Sequence, residues 1–236
     1  MKPTLELFRS QNTKAVALLD KLRAFLEQGI ALGVNIDPSL LAKLENVSER
    51  LVGEKLKIAL IGGFSEGKTS IAAAWMERLD KTSMRISQQE SSNEVKVYEV
   101  DDDFVLIDTP GLFGFREQFN ADLQEMEKYK DITRKYVSEA HLVLYVMNST
   151  NPIKDSHKED LHWLFRTLNL LPRTVFVLSR FDEVADVEDE SSYAQNMQIK
   201  RSNVENRLRE AIGASDAEVA ALSIVAVSAN PFDMGT

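Results

Sequence analysis

The spacing of the hydrophobic residues changes near residue 54. Before that point apolar side chains recur at every third or fourth position, which places them on one face of a helix. This spacing predicts a first helix over residues 4–32, a break over residues 33–37 and a second helix over residues 38–52. An Asp-Pro dipeptide opens the second helix, where Asp can cap the helix and proline suits its first turn. The apolar positions of the first helix include Leu5, Phe8, Val16, Leu18, Leu19, Leu22, Phe25 and Leu26.

After residue 54, short apolar runs alternate with helical patterns, which predicts an α/β fold with a doubly wound, mostly parallel sheet. The predicted strands are residues 56–61, 94–100, 104–108, 141–147, 174–178 and 223–227, and the predicted helices are residues 70–78, 121–140, 155–169 and 198–212. Three aspartates form a short turn between the second and third strands, so we expect that pair to be antiparallel. The acidic, serine-rich stretch 183–192 is predicted to be a loop. We divide the chain into an N-terminal helical segment, residues 1–53, and an α/β domain, residues 54–236.

A phosphate-binding pattern follows the first predicted strand. Residues 62–69 read Gly-Gly-Phe-Ser-Glu-Gly-Lys-Thr and match GxxxxGK[ST]. Backbone N–H groups of such a loop, together with the positive end of the next helix, can hold a polyphosphate. We expect Lys68 to reach the β- and γ-phosphates and the Thr69 hydroxyl to bind Mg²⁺. The predicted nucleotide contacts of this segment are Gly62, Gly63, Phe64, Ser65, Glu66, Gly67, Lys68, Thr69 and Ser70.

A second pattern, Asp-Thr-Pro-Gly, ends the third predicted strand. We expect the Asp108 carboxylate to hold Mg²⁺ through water and the Gly111 N–H to meet the γ-phosphate. In isolation the same four residues could form an ordinary hairpin turn. Their position about forty residues after the phosphate loop, at the end of an apolar strand, favours the functional interpretation.

Two later patterns predict recognition of guanine. Ser179, Arg180 and Asp182 follow an apolar strand, and a carboxylate at the last position can accept hydrogen bonds from guanine N1–H and its amino group. Adenine lacks this pair of donors, so the carboxylate discriminates between the two bases. The sequence Ser228-Ala229-Asn230 follows the last strand, and its backbone is expected to contact the O6 edge of guanine.

The four patterns, in this order, resemble those of translation-factor-like P-loop GTPases over most of residues 56–230. A long helical segment before the loop and the Gly-Gly pair that opens it are similar to the dynamin-like GTPases, particularly the bacterial ones. The resemblance implies GTP/GDP and Mg²⁺ as ligands, with the aliphatic part of Arg180 lying on the purine. Three positions depart from the usual motifs: Ser179 for Asn or Thr, Arg180 for Lys, and Asn230 for Lys.

Phe64 and Leu112 stand where relatives have a glutamine that orients the attacking water. Neither side chain can hydrogen-bond a water, so this role falls to Ser65, backbone groups, a partner residue or another protomer across the nucleotide face. We therefore expect GTP hydrolysis that is slow in the monomer and faster in a homodimer. One alternative is a nucleotide-dependent binding switch with negligible turnover, and another is an ATPase.

A switch residue is predicted in the polar stretch 88–94. Relatives place a threonine there that binds Mg²⁺ through its hydroxyl and the γ-phosphate through its N–H. Ser92 is our candidate for both contacts, with Ser91 as the second choice. The alternative is that this stretch is a solvated polar loop. Lys68, Ser65, Ser92 and Gly111 are thus the candidate catalytic residues, and Thr69, Ser92 and Asp108 the candidate metal ligands.

The overall composition limits the partners. A net charge of −9 argues against general binding of nucleic acid, and the absence of cysteine fits a reducing cytoplasm. No apolar run is long enough to span a membrane, which leaves peripheral membrane contact open. The sequence stops soon after the last motif, so we expect a C-terminal truncation that lacks a helical bundle and stalk, or a partner chain that covers the last strand. The dynamin resemblance further implies a role in membrane remodelling or secretion, and an N-terminal helix that joins that bundle. The alternative is a helical hairpin that packs on its own GTPase domain.

Overall fold

The computed structural model describes residues 2–75, 95–100, 104–109, 131, 133–186 and 188–229. The chain forms two compact units, residues 1–56 and 57–236. No helix in the part of the chain described is both long and apolar enough to cross a membrane.

The first unit contains two helices, α1 (Lys2–Ala31) and α2 (Pro38–Val52). Asp37 caps α2, because its side chain accepts a hydrogen bond from Ser39 N at 2.9 Å. The two helices are joined by the Arg23 guanidinium, which bonds Glu27 on α1 at 3.0 Å and Glu45 on α2 at 3.4 Å. Large apolar side chains remain exposed on this unit, among them Leu7, Leu18, Leu22, Phe25, Ile30, Leu32, Val34, Leu40, Val47 and Val52.

The second unit is built on a six-stranded sheet in the order β2-β3-β1-β4-β5-β6. The strands are β1 (Leu56–Gly62), β2 (Lys96–Val100), β3 (Phe104–Asp108), β4 (Leu142–Asn148), β5 (Thr174–Ser179) and β6 (Ser223–Ala226). Strands β2 and β3 are antiparallel, whereas β1–β4, β4–β5 and β5–β6 are parallel pairs. These findings confirm the predicted α/β fold with one antiparallel strand pair.

The sheet is buried on both faces at its centre, as expected for parallel strands covered by helices. Every residue of β1 except Lys57 is buried, and five of the seven positions of β4 are buried as well. Tyr145, Phe165 and Phe176 meet in the core with ring centroids 5.4 to 5.7 Å apart. This rigid centre fixes the positions of the strand ends that carry the predicted motifs.

Among its described residues, the second unit has the helices α3 (Lys68–Trp75), α4 (Lys158–His162), α5 (Glu190–Ile212) and α6 (Asp216–Ala220), and residues 133–139 are also helical. Most of the helix predicted over residues 121–140 lies outside the described residues. The helix predicted over residues 155–169 is divided: a 3₁₀ turn precedes α4, and a π-helical turn (Trp163–Thr167) follows it. Helix α5 begins at Glu190, eight residues before its predicted start, so the prediction of a loop up to residue 192 was wrong. The physical reason is the Asp189 cap, whose side chain accepts a hydrogen bond from Ser191 N at 2.9 Å.

Arg166 joins three segments at the C-terminal end of α5. Its guanidinium bonds both carboxylate oxygens of Glu218, at 2.5 and 3.1 Å, and the carbonyls of Ile212 and Gly213 at 2.9 and 3.1 Å. Glu218 also accepts hydrogen bonds from the N–H and hydroxyl of Ser215 at 2.8 and 2.9 Å. The bond from Arg166, followed by those from Ser215, lowers the pKa of the Glu218 carboxyl from 4.5 to about 2.

This lowered pKa predicts a pH-dependent contribution to stability. Because the folded carboxyl binds a proton less readily than the unfolded one, the contribution is present above pH 4.5 and is lost as the pH falls toward about 2. Glu218→Gln should lower the midpoint of thermal unfolding at pH 7, and this deficit should shrink between pH 4.5 and pH 2. Glu205→Gln, which removes a helical ion pair with Arg201, is the control and should have little effect. An unchanged midpoint for Glu218→Gln at pH 7, or a deficit that does not vary with pH, contradicts this account.

Candidate nucleotide-binding site

The phosphate loop joins β1 to α3, in the position that the motif predicts. Gly62 ends β1 with φ +147°, and a Cβ atom there would lie 2.1 Å from the carbonyl oxygen of Val146 on β4. Only glycine therefore allows the chain to turn off β1 so close to its neighbouring strand. Gly67 precedes α3 with φ +92°, another conformation that favours glycine.

The side chain of Lys68 lies inside this loop and is only 6% exposed. Its ammonium group donates hydrogen bonds to the carbonyl oxygens of Gly62 and Gly63, at 3.2 and 2.7 Å. Burial lowers the pKa of Lys68, while the nearby charges of Asp108 and Glu66 act in the opposite direction. A buried cation that is held by two carbonyls at the N-terminus of a helix is well placed to bind an anion.

Asp108 and Thr69 form the neighbouring part of the site. The Thr69 hydroxyl donates a hydrogen bond to Asp108 Oδ2 at 2.8 Å, and Asp108 is 1% exposed. Burial raises the pKa of Asp108, whereas Lys68 and the bond from Thr69 oppose this shift.

Within the described part of the chain, the second oxygen of Asp108, Oδ1, has no hydrogen-bond partner. An orphaned carboxylate oxygen beside a threonine hydroxyl is a suitable pair of oxygen donors for Mg²⁺, which takes few protein ligands and completes its shell with water and phosphate. Among the described residues, no group of three or more His, Cys, Asp and Glu side chains could hold a metal ion. The donor set thus fits Mg²⁺ bound together with a nucleotide.

The third motif is bonded to the phosphate loop. The buried Ser179 hydroxyl lies 2.6 Å from the Glu66 carbonyl oxygen and 3.2 Å from that of Met147, and can donate to either. Arg180 has a left-handed backbone, with φ +52°, and its guanidinium donates to the Ser65 carbonyl at 3.2 Å. Both side chains thereby connect the end of β5 with the loop after β1.

The third and fourth motifs are also joined to each other. Asp182 N donates a hydrogen bond to the Ser228 hydroxyl at 3.0 Å, and Phe181 N donates to the Val227 carbonyl at 3.2 Å. Asp182 is exposed, while Phe181 is fully buried and packs against Tyr193 of α5 with ring centroids 5.1 Å apart. The buried phenylalanine anchors the turn that presents the Asp182 carboxylate.

The Glu66 side chain makes contacts that the phosphate-binding motif does not predict. Its carboxylate accepts a hydrogen bond from Asn148 N at 2.5 Å and lies 3.4 Å from Lys154 Nζ. Neither Asn148 nor Lys154 was among the predicted site residues. The one signal in the sequence was the acidic residue itself, since a carboxylate in an anion-binding loop needs cationic or amide partners of its own.

The structure brings most of the predicted site residues to one edge of the sheet, where β1, β3, β5 and β6 end. These are Gly62, Gly63, Phe64, Ser65, Glu66, Gly67, Lys68, Thr69, Ser70, Asp108, Ser179, Arg180, Asp182, Ser228 and Ala229. The predicted residues Ser91, Ser92, Gly111, Leu112 and Asn230 lie outside the described residues.

Comparison with known proteins identifies the family. A family model described as 50S ribosome-binding GTPase matches residues 57–180. No curated protein matches the sequence. The solved structure of LeoA, described as a bacterial dynamin GTPase from ETEC, has a TM-score of 0.77 and 36% sequence identity. That match covers 98% of this chain and 40% of the LeoA chain, so the chain spans about two fifths of its relative.

More distant structures share the fold. Toc33 from Arabidopsis thaliana, solved with Mg²⁺ and GMPPNP, has a TM-score of 0.56 at 18% identity, covering 84% of this chain and 82% of its own. Era, solved with MgGDPNP and a segment of 16S ribosomal RNA, has a TM-score of 0.51 at 15% identity, covering 73% and 50%. The family model, which matches more than half of the chain, shows that the chain belongs to the P-loop GTPases of the 50S ribosome-binding GTPase family, with the dynamin-like LeoA as a relative.

Proposed function

We propose that this chain binds GTP with Mg²⁺ and hydrolyses it to GDP and phosphate as the motor or switch domain of a dynamin-like protein. The observation that carries the proposal is the buried pair at the edge of the sheet. It consists of the Lys68 ammonium inside the loop and the Asp108 carboxylate, whose Oδ1 has no hydrogen-bond partner among the described residues. Both groups gain partners when a phosphate chain and its divalent cation enter between them.

The phosphate loop provides the binding and orientation of the phosphates. Lys68 exchanges its bonds to Gly62 and Gly63 for bonds to β- and γ-phosphate oxygens, where its charge stabilises the transferred group. The backbone N–H groups of residues 63–69 hold the remaining oxygens. Thr69 and Asp108 hold Mg²⁺, which neutralises charge on the β- and γ-phosphates when it is bound.

Selection of guanine depends on the exposed Asp182 carboxylate. The bond from Asp182 N to the Ser228 hydroxyl fixes this residue beside the backbone of Ser228 and Ala229, which we assign to the O6 edge of the base. Arg180 contributes differently from the lysine of related motifs, because its head group already bonds the Ser65 carbonyl. Its aliphatic part remains our candidate for contact with the purine.

The group that orients the attacking water is a further part of the proposal. Phe64 cannot supply it, and Leu112, Ser92 and Gly111 lie outside the described residues. We propose that Ser65, a backbone group or a second protomer across the nucleotide face orients the water, and that Ser92 and Gly111 bind the γ-phosphate. The apolar Phe64 also supports the second candidate function, a guanine-nucleotide switch with negligible turnover.

The cellular role is proposed from the relationship to LeoA alone. A bacterial dynamin-like protein with this domain would act in the cytoplasm, with a C-terminal bundle and stalk, peripheral membrane contact and a task in membrane remodelling or secretion. The exposed apolar positions of α1 and α2 support a partner for the first unit.

Replacing the loop lysine tests nucleotide binding directly. Lys68→Ala should weaken binding of a non-hydrolysable GTP analogue with Mg²⁺ by roughly 100-fold, about 2.7 kcal/mol, because two charge-assisted bonds to phosphate are lost. Isothermal titration calorimetry measures the change, and Lys158→Ala, which removes a surface ion pair with Asp155, is the matched control. Unchanged affinity in a folded Lys68→Ala variant contradicts the proposed site.

Replacing the base-recognition aspartate tests guanine selection. Asp182→Asn should reduce the ratio of GTP to ATP affinity at least about tenfold, because an amide accepts only one of the two guanine donors without conflict. Asp186→Asn alters another exposed aspartate of the same segment and should leave the ratio unchanged. If the ratio is the same in Asp182→Asn, or if wild-type protein prefers ATP, the ATPase alternative replaces this proposal.

The dependence of turnover on protein concentration tests activation by a second protomer. We expect the GTP hydrolysis rate per protomer to rise with concentration, by up to about 10³-fold where a partner completes the site. Single-turnover assays over a wide range of concentrations measure it. A measurable rate that stays constant across that range contradicts dimer activation. Guanine-nucleotide binding with no turnover at any concentration supports the switch alternative.

A further inference from the structure

Glu66 is a buried acidic side chain inside a loop that binds an anion. Its side chain is 7% exposed. An ionised carboxylate is costly to bury, and it repels the phosphates bound by the same loop. The contacts of Glu66 therefore have to offset the cost of its burial.

The contacts of Glu66 connect the phosphate loop to the end of β4. Glu66 Oε2 accepts a hydrogen bond from the backbone N–H of Asn148 at 2.5 Å. A Cβ atom at Gly63 would lie 3.1 Å from Glu66 Cγ and 3.2 Å from Oε1, so the carboxylate is packed against the Gly63 backbone. The Gly63 carbonyl is in turn the nearer acceptor of the Lys68 ammonium, at 2.7 Å.

Asn148, the partner of the Glu66 carboxylate, is held in place by the sheet. It is the last residue of β4 and pairs in register with Ser179 of β5. Its side-chain oxygen accepts hydrogen bonds from Thr150 N and the Thr150 hydroxyl, at 2.8 and 2.7 Å. The Glu66 carboxylate thus joins the middle of the phosphate loop to a rigid strand end.

We propose that Glu66 is a positioning residue for GTP hydrolysis. Its bond to the Asn148 amide holds the Gly63 stretch of the loop, whose backbone N–H groups bind the phosphates, in the geometry that hydrolysis requires. This inference rests on the proposed function of the same site. The ion pair with Lys154 contributes little, because Lys154 is about half exposed and its Nζ lies 3.4 Å from the carboxylate.

Four variants separate the hydrogen bond from the charge. Glu66→Ala and Glu66→Met both remove the acceptor, and methionine preserves most of the side-chain volume. Glu66→Gln removes the charge and keeps an oxygen that can accept the Asn148 N–H. Lys154→Met removes only the ion pair. Glu205→Ala is the matched control, since it removes a glutamate whose ion pair with Arg201 lies on α5.

The effect is expected in kcat rather than in KM. Glu66→Ala and Glu66→Met should lower kcat for GTP at least about tenfold and change KM less than about threefold, because Lys68 and the backbone amides still bind the phosphates. Glu66→Gln should keep kcat within about threefold of wild type, and Lys154→Met within about twofold. Glu205→Ala should match wild type in both parameters.

A second readout does not depend on turnover. Hydrogen exchange of the Asn148 amide, measured by NMR on the protein without nucleotide, should be at least about tenfold faster in Glu66→Met than in wild type. In Glu66→Gln the amide should remain protected. A lower melting temperature with wild-type kcat would indicate a structural role only.

The inference is overturned if folded Glu66→Ala or Glu66→Met keeps the wild-type kcat, if Glu66→Gln is as slow as these variants, or if Asn148 exchange is the same in all of them. A wild-type chain that hydrolyses no GTP at any concentration overturns the proposed hydrolysis and this inference with it. Wild-type turnover combined with an equally active Glu66→Met overturns the inference alone.

Discussion

Two opposite charges buried at one edge of the sheet dominate this structure. The Lys68 ammonium and the Asp108 carboxylate are both buried. Burial lowers the pKa of Lys68 and raises the pKa of Asp108, so in each case it favours the neutral form. Buried charges are tolerated when polar partners surround them. Lys68 has two backbone carbonyls, whereas Asp108 has one hydroxyl and an oxygen without a partner in the described part of the chain. We expect the arrangement to be most favourable with a polyphosphate and a divalent cation present.

The rest of the domain keeps these two groups in place. Lys68 starts α3 and Asp108 ends β3, so their separation is set by strands whose apolar residues fill the core. Two further strand ends support the loop between them: Ser179 of β5 bonds the Glu66 carbonyl, and Asn148 of β4 bonds the Glu66 carboxylate. A glycine-rich loop, which would be flexible on its own, thereby becomes part of a rigid edge. Positioning of this kind is the main contribution that a protein makes to phosphoryl transfer.

The sequence was most informative where a motif has fixed spacing and a long hydrophobic pattern surrounds it. The order of strands and helices predicted the α/β fold and its antiparallel pair, and the structure confirms both. The local pattern was less reliable at helix boundaries. Helix α5 begins at a capping aspartate inside an acidic, polar stretch, and the segment after α4 forms a π turn that hydrophobic spacing does not distinguish from an α-helix.

For the site, the motifs predicted which residues gather at the sheet edge, and their contacts with a nucleotide stay predictions. Long-range side-chain contacts could not be predicted, because they join segments about 80 to 115 residues apart. The Glu66–Asn148 bond and the Arg180–Ser65 bond are of this kind. Arg180 was visible as a departure from the common motif, whereas Glu66 occupies a position that the motif leaves open. The partners of both residues depend on the register of β4 and β5.

The decisive experiment for the proposed site is calorimetric titration of the wild-type chain with guanine and adenine nucleotides, with and without Mg²⁺. We expect GDP and a non-hydrolysable GTP analogue to bind at least about 100-fold more tightly than their adenine counterparts, and Mg²⁺ to strengthen binding of the triphosphate. Equal affinity for the two bases, or triphosphate binding that does not respond to Mg²⁺, would rule out a magnesium-dependent guanine-nucleotide site.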